Sequence, residues 1–258
     1  MTARIIGIGA YAPEQVVTNQ DLTKFLDTND AWIRERTGIG ARHISTSEGT
    51  SALATEAAKR AIADAGISPE EIEIVIVATS SPDRAFPSAA ADVQGAIGAK
   101  HAVAFDITAA CSGFIYALHI VQGFIQAGIY KTALIIGAET LSKVLDWTDR
   151  SSCILFGDGA GAAVVRADET GVVKTLVGSD GTKNDVLYCQ ARSLENCLTG
   201  GKPELGFMQM DGQEVFKFAV KKVPEIVNAI LEETGTDREA VQTENCRFAK
   251  NIDYRKGT

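Results

Sequence analysis

A single cysteine stands where an apolar, strand-like run ends and a long apolar helical pattern begins. The stretch is DITAACSGF, residues 106–114, and the cysteine is Cys111. Backbone N–H groups at the start of a helix have no intrahelical partner, so this position favours an anion such as a thiolate. Small neighbouring residues leave room for a substrate. The pattern predicts a nucleophile for acyl transfer, and the alternative is a buried structural cysteine.

The other residues that could assist or replace this thiol do not form a recognisable set. His119 lies eight residues after Cys111, roughly 12 Å further along the same predicted helix. His43 and His101 lie near predicted strands, and we interpret all three histidines as ordinary structural or surface residues. The remaining cysteines form no CxxC pair or zinc-type cluster, which predicts small buried apolar residues in a reducing cytoplasm; they are Cys153, Cys189, Cys197 and Cys246.

An aromatic residue and two arginines form a second candidate group. Trp32 and Arg36 are four residues apart in a helical pattern and therefore share a face, and Arg150 lies in the polar loop TDRSS. An indole ring with guanidinium groups could stack on an adenine and pair with phosphates. An ordinary surface ion-pair network remains the alternative.

Lysines and glycines give weaker signals. Lys217 and Lys221 lie on one face of a late helix and could dock an acidic partner, although a solvated helix face is the more common arrangement. The glycine-rich stretches at 7–12 and 156–163 lack a full GxGxxG motif between a strand and a helix. We interpret their glycines as sites of close backbone packing.

Strands and helices alternate along the chain, which predicts an α/β fold whose apolar strands are covered on both faces. Strands are predicted in EIEIVIVATSS, HAVAFDITA, KTALIIGAET, GAGAAVVRA and GVVKTLVGSDG. Helices are predicted in NQDLTKFL, NDAWIRERTG, SALATEAAKRAIADAGI, PSAAADVQGAIGA, CSGFIYALHIVQGFIQAG and GQEVFKFAVKKVPEIVNAILEETG. Asn19 and Asn29 are expected as N-caps and Gly66 as a C-cap. A loop is expected over residues 184–203, and a kink at Pro224.

The order of elements predicts a complete α/β unit over residues 1–170 and a second, incomplete unit over residues 171–258. The net charge is −8, which argues against general affinity for nucleic acid or an anionic membrane. We also expect no signal peptide and no membrane span. Nothing in the pattern indicates a metal or a nicotinamide cofactor.

Several stretches, taken together and in order, resemble the 3-oxoacyl-[acyl-carrier-protein] synthase III family. They are GIGAYAPE, NDAWIRERTGI, AFPSAA, AFDITAACSGF, TDRSS, FGDGAGAAV and MDGQEVFKFAV. The resemblance implies a thiolase-like fold of two related α/β halves in αβαβα layers, with the second half truncated here. It also implies a cytoplasmic acyltransferase that starts fatty-acid synthesis by decarboxylative condensation of acyl-CoA with malonyl-acyl carrier protein. CoA thioester is then a substrate, and no cofactor is implied.

The same resemblance assigns roles to individual residues. Cys111 matches the nucleophile that accepts the acyl group. The CoA-binding positions it implies are Thr28, Trp32, Arg36, Arg150 and Gly212: Trp32 and Arg150 sandwich the adenine, Arg36 contacts a phosphate, and Gly212 lies beside the pantetheine arm. Phe86 matches a residue that crosses a homodimer interface to line the partner's acyl pocket. Lys217 matches a basic residue that docks the carrier protein.

The resemblance stops at about Val241. Family members then carry a histidine in a PHQAN-like motif, an asparagine in a GNTSA-like motif and a glycine-rich oxyanion segment, whereas this sequence reads TENCRFAKN and ends at Thr258. We interpret the change as a truncation or an altered reading frame. It predicts that condensation is very slow or absent and that apolar residues are exposed at Val223, Val227 and Ile230. A non-catalytic acyl-CoA or carrier-protein binder, and an acyltransferase with another acceptor, remain alternatives.

Overall fold

The computed structural model describes residues 1–172, 174–202 and 204–238, and Cys246 and the divergent residues after Val241 lie outside them. The strands are β1 (Thr2–Tyr11), β2 (Val16–Thr18), β3 (Ala41–His43), β4 (Ile74–Ala78), β5 (Val103–Ile107), β6 (Thr132–Thr140), β7 (Asp158–Asp168), β8 (Leu187–Cys189) and β9 (Met208–Met210). The α-helices are α1 (Asn19–Leu22), α2 (Asp30–Thr37), α3 (Thr50–Ala65), α4 (Ala89–Ile97), α5 (Gly113–Gln126) and α6 (Gly212–Thr234).

The central sheet has five strands in the order β1-β7-β6-β4-β5. β4 is parallel to both β5 and β6, whereas β7 is antiparallel to β6 and β1. Every residue of β4 is buried, because Val75 and Val77 pack with α3 and α4 while Ile74 and Ile76 pack with α5 on the opposite face. The predicted sheet with two covered faces is thus confirmed, as three layers of helix, sheet and helix.

Glycines in β1 allow the sheet to approach α3 closely. A Cβ added at Gly7 would lie 2.4 Å from the Ala65 nitrogen, and one at Gly9 would lie 2.3 Å from the Ala57 carbonyl oxygen. The packing interpretation is therefore confirmed for the first glycine-rich stretch. In the second stretch it holds at Gly157 but not at Gly161, where an added Cβ would meet no atom within 4 Å.

The chain divides into two compact units. The first comprises residues 1–172 and 190–208, and the second comprises the described parts of 173–189 and 209–258. In the second unit, the Asp211 side chain caps α6, and Gly235 ends it in the left-handed conformation. Lys183 and Lys174 each pair with a glutamate of α6. The predicted division at residues 170 and 171 stays a prediction.

Three local predictions are wrong. GVVKTLVGSDG forms no strand over residues 174–180, because an extended apolar segment becomes a strand only beside a pairing partner, and no described strand pairs with it. The predicted loop at 184–203 contains β8, which pairs with β9. Asn19 is not an N-cap: Thr18 caps α1, and Asn19 is fully buried inside the helix.

Candidate active site

Cys111 lies at the tight connection between β5 and α5. Residues Ala110–Ser112 form a 3-10 turn, and α5 begins only at Gly113, so the thiol precedes the α-helix instead of lying in its first turn. Cys111 is exposed. Its predecessor Ala110 has a φ of 44°, a left-handed conformation that costs a non-glycine residue about 1–3 kcal/mol. The surrounding structure thus holds the thiol in a strained corner that faces solvent.

Packing against β4 fixes this corner. A Cβ added at Gly113 would lie 2.8 Å from the Ala78 Cβ, so only glycine lets α5 begin this close to the end of β4. Asp106 anchors the strand that leads to the corner. Its carboxylate accepts hydrogen bonds from the backbone N–H groups of Ala89 and Ala90, each at 2.7 Å, at the start of α4. Sequence reasoning missed this anchor, although a lone aspartate in the apolar run AVAFDITA was the available signal.

The remaining described cysteines differ from Cys111. Cys153 is fully buried, and burial, with a contribution from the Asp149 charge, raises the pKa of its thiol to about 11. This thiol is a structural residue, as predicted. Cys189 and Cys197 are exposed, so their assignment as buried apolar residues is wrong. They lie in a polar part of the chain that contributes little to the core.

No histidine is seen paired with the candidate nucleophile. His43 Nδ1 donates a hydrogen bond to the Pro13 carbonyl oxygen at 2.6 Å. His101 and His119 are exposed at the start of the segment before β5 and on α5. Within the described ranges, no group of three or more histidine, cysteine or acidic residues could hold a metal ion. None of the helices in these ranges has the length and apolar character needed to cross a membrane.

The structure brings Trp32, Arg36 and Arg150 together. The guanidinium carbon of Arg36 lies 4.9 Å from the centroid of the Trp32 ring, and that of Arg150 lies 5.3 Å from it. These are cation–π distances. Asn29 caps α2 by accepting a hydrogen bond from the Trp32 N–H at 2.9 Å, which orients the turn that carries the indole. The predicted shared face of Trp32 and Arg36 is confirmed.

A hydrogen bond to the backbone holds the Arg150 side chain beside Thr28. Arg150 Nη1 donates a 2.6 Å hydrogen bond to the Asp27 carbonyl oxygen, next to Thr28. The Thr28 hydroxyl is buried and has no hydrogen-bond partner among the described residues. A cationic and aromatic surface such as that formed by Trp32, Arg36 and Arg150 suits a purine with attached phosphates.

The other predicted positions belong to other elements of the structure. Gly212 is the first residue of α6 in the second unit. On the same helix, the Lys217 ammonium pairs with Glu214 at 2.7 Å, a contact that raises the pKa of Lys217, whereas Lys221 is exposed and makes no ion pair in the described part of the chain. Phe86 is 84 % exposed, in the loop before α4.

Comparison with known proteins identifies the family. The family model described as 3-Oxoacyl-[acyl-carrier-protein (ACP)] synthase III matches residues 105–181, which include the Cys111 corner. A beta-ketoacyl-[acyl-carrier-protein] synthase III of Clostridium acetobutylicum is 51% identical over 242 residues, a match that covers 93% of this chain and 74% of that protein.

Solved structures agree. The crystal structure of 3-oxoacyl-[acyl-carrier-protein] synthase III from Aquifex aeolicus superposes with a TM-score of 0.78 at 44% sequence identity. The match covers 93% of this chain and 74% of the Aquifex chain. The 3-oxoacyl-(acyl carrier protein) synthase III of Pseudomonas aeruginosa gives a TM-score of 0.81 at 39% identity, covering 91% and 72%. The thiolase-like fold expected from the sequence is thus confirmed. The chain belongs to the 3-oxoacyl-[acyl-carrier-protein] synthase III family of acyltransferases.

Proposed function

We propose that the protein is a cytoplasmic acyltransferase that takes an acyl group from CoA onto Cys111 and starts fatty-acid synthesis. In this reaction the Cys111 thiolate attacks the thioester carbonyl, the carbon–sulfur bond to CoA breaks, and CoA leaves as a thiolate that takes up a proton. The observation that carries the proposal is the exposed thiol at the strained corner between β5 and α5. A nucleophile at a strand–turn–helix corner is a recurrent arrangement for acyl transfer.

The Trp32 group supports CoA as the acyl donor. We assign the CoA contacts to Thr28, Trp32, Arg36, Arg150 and Gly212, with the adenine between Trp32 and Arg150. An aromatic ring inserted between two flat groups needs about 7 Å between them, since each contact is about 3.5 Å. The Arg150 guanidinium carbon lies 5.3 Å from the indole centroid, so it must move outward by roughly 2 Å when the adenine enters. Its side chain is about half exposed, and this movement breaks the hydrogen bond and the ion pair that it makes with Asp27.

The second substrate is malonyl-acyl carrier protein. In the proposed second step, the malonyl group loses CO2, the resulting carbanion attacks the acyl-Cys111 carbonyl, and the Cys111 thiolate leaves. Lys221 on α6 is exposed and has no ion-pair partner among the described residues, which supports docking of an acidic carrier, and Lys217 adds a charge that Glu214 partly offsets. We propose no metal and no further cofactor.

A homodimer is the proposed assembly. β5 is an edge strand of the sheet in the described residues, so a second copy could pair with it. Phe86 supports the same interface. Its aromatic side chain is 84 % exposed, and covering it with a partner subunit would stabilise the dimer by removing apolar surface from water.

We also propose that condensation by the 258-residue polypeptide is slow. The only histidines in its sequence are His43, His101 and His119, and none stands in the motif that the family uses to stabilise the enolate. Loss of one such donor typically lowers the rate by ~10²–10³. Acylation of Cys111 depends on the thiol and on CoA binding, so it is expected to persist.

The test uses radiolabelled acetyl-CoA followed by malonyl-acyl carrier protein. We expect one equivalent of CoA released and one acetyl group bound per chain, little 3-oxoacyl product after the chase, and no bound acetyl in Cys111→Ala. Undiminished CoA binding without acyl transfer would instead favour a non-catalytic binder. Rapid ketoacyl formation would contradict the proposed impairment.

A further inference from the structure

Arg42 is a buried cation in the first unit. It lies in the middle of β3 and is 6 % exposed. Its Nη1 donates to the Val17 carbonyl oxygen at 3.2 Å, and its Nη2 donates to the Asn19 side-chain oxygen at 2.8 Å and to the Ile154 carbonyl oxygen at 3.1 Å. No carboxylate of the described residues pairs with it, and its Nε has no partner there. Burying a charge without a counter-ion costs desolvation free energy. The contacts of Arg42 are therefore expected to have a role beyond stability.

The contact to Asn19 connects Arg42 to α2. Asn19 is fully buried, and its amide nitrogen donates to Asp30 Oδ1 at 2.8 Å and to the Ile39 carbonyl oxygen at 2.7 Å. Asp30 is the first residue of α2, and Ile39 lies two residues beyond its end. Hydrogen bonds from Asn19 and Arg34 lower the pKa of Asp30, so the accepting group is a carboxylate. One buried amide, itself held by Arg42, therefore fixes both ends of the helix that carries Trp32 and Arg36.

The contact to Ile154 connects Arg42 to the segment that carries Arg150. Ile154 is 3 % exposed, so its carbonyl belongs to the packed interior. Just before Ile154, a 3.1 Å hydrogen bond from the Cys153 N–H to the Asp149 carbonyl oxygen closes the turn that contains Arg150. The position of the Ile154 carbonyl thus limits where the Arg150 backbone can lie.

We propose that Arg42 is a positioning residue for CoA: its guanidinium joins the α2 side and the Arg150 side of the nucleotide site and sets the spacing between Trp32 and Arg150. This inference rests on the proposed function, because it assumes that the nucleotide end of CoA binds there. Arginine suits the role, since its planar fork can donate to several fixed oxygens at once, whereas lysine offers a single flexible ammonium.

The experiment compares two acyl donors on the same chain. Acetyl-CoA carries the nucleotide, and S-acetyl-N-acetylcysteamine has the same thioester without it. We expect Arg42→Met to raise the KM for acetyl-CoA on the order of tenfold or more, since misplacing a binding group by about 1 Å can cost ~10²-fold. Acylation by the short thioester should stay near the wild-type rate, because Cys111 itself is not displaced.

Three further variants make the result interpretable. Asn19→Ala removes only the link to α2 and should reproduce the selective loss, and Arg42→Lys should recover part of the acetyl-CoA affinity. Arg166→Met is the matched control, because Arg166 lies near the C-terminal end of β7, where it pairs with Glu71, and its loss should affect neither donor. Thermal melting of each variant measures how much stability is lost.

Each outcome bears on one claim. Equal loss with both donors, or collapse of Arg42→Met, Arg42→Lys and Asn19→Ala alike, would assign Arg42 to stability and overturn the inference. Unchanged kinetics in all three would overturn it as well. A wild-type chain that acetyl-CoA acylates no faster than the short thioester would overturn the proposed nucleotide site, and the inference with it.

Discussion

At the scale of single residues, two cysteines show how position decides chemistry. Cys111 is exposed in a strained turn, whereas Cys153 is fully buried beside Arg42 and Asp149. Only the first can meet a thioester. The distinction was available from the sequence in part: the small residues around Cys111 predicted an open corner, but no local pattern predicted that Cys189 and Cys197 would also be exposed.

The buried thiol gives a pH-dependent prediction. Burial raises the pKa of Cys153 to about 11 from an ordinary 9.0, so between these values the unfolded chain loses this proton first. The unfolded state then binds fewer protons than the native state, and the free energy of unfolding falls as pH rises from 9 to 11. Urea unfolding at pH 8 and pH 10 measures the decrease. Cys153→Ala should show a smaller decrease; an identical decrease would remove Cys153 as its source.

At the scale of elements, the spacing of apolar residues in the sequence predicted the central sheet and its helices well. The strands β4, β6 and β7 and the helix α3 follow the apolar runs, and Gly66 and Gly235 end their helices in the left-handed conformation. The segment 174–180 shows why other element predictions were wrong. Its apolar pattern is strand-like, but pairing depends on a neighbour that local sequence does not specify. The Arg42–Asn19 contacts were missed for the same reason, because they join distant segments.

The open edge of β5 gives a prediction about assembly. The Val103 N–H donates to the Glu73 carbonyl oxygen on the β4 side, so the next residue, Ala104, directs its N–H to the open edge. Ala104→Pro removes that donor while sparing the β4 ladder and should convert the proposed dimer to a monomer in light-scattering measurements. Ala104→Val is the control and should remain dimeric. A dimeric proline variant would exclude pairing through this edge.

At the scale of the whole molecule, α6 presents an apolar surface. Phe216, Val223 and Val227 are 66 %, 39 % and 37 % exposed, which confirms the predicted exposure of the two valines, whereas Ile230 is half-buried. Residues at positions i, i+7 and i+11 share a helix face, so these side chains form one stripe. A stripe of this kind binds apolar dyes and promotes association.

The corresponding measurement is binding of the dye ANS. The double variant Phe216→Ser, Val223→Ser should lower ANS emission while circular dichroism retains the helix signal. Ile8→Ser removes an exposed apolar side chain of the sheet and should lower emission less. A wild-type chain that binds no ANS and melts sharply as a soluble monomer would contradict an exposed stripe.

The central claim is that Cys111 is the acyl acceptor, and site-resolved mass spectrometry tests it most directly. The 258-residue chain is incubated with acetyl-CoA, digested at low pH to preserve thioesters, and mapped. One acetyl group is expected on the Cys111 peptide and none on the peptides with Cys153 or Cys197. An unmodified Cys111 in a folded chain, or acetyl groups spread equally over the exposed cysteines, would contradict it.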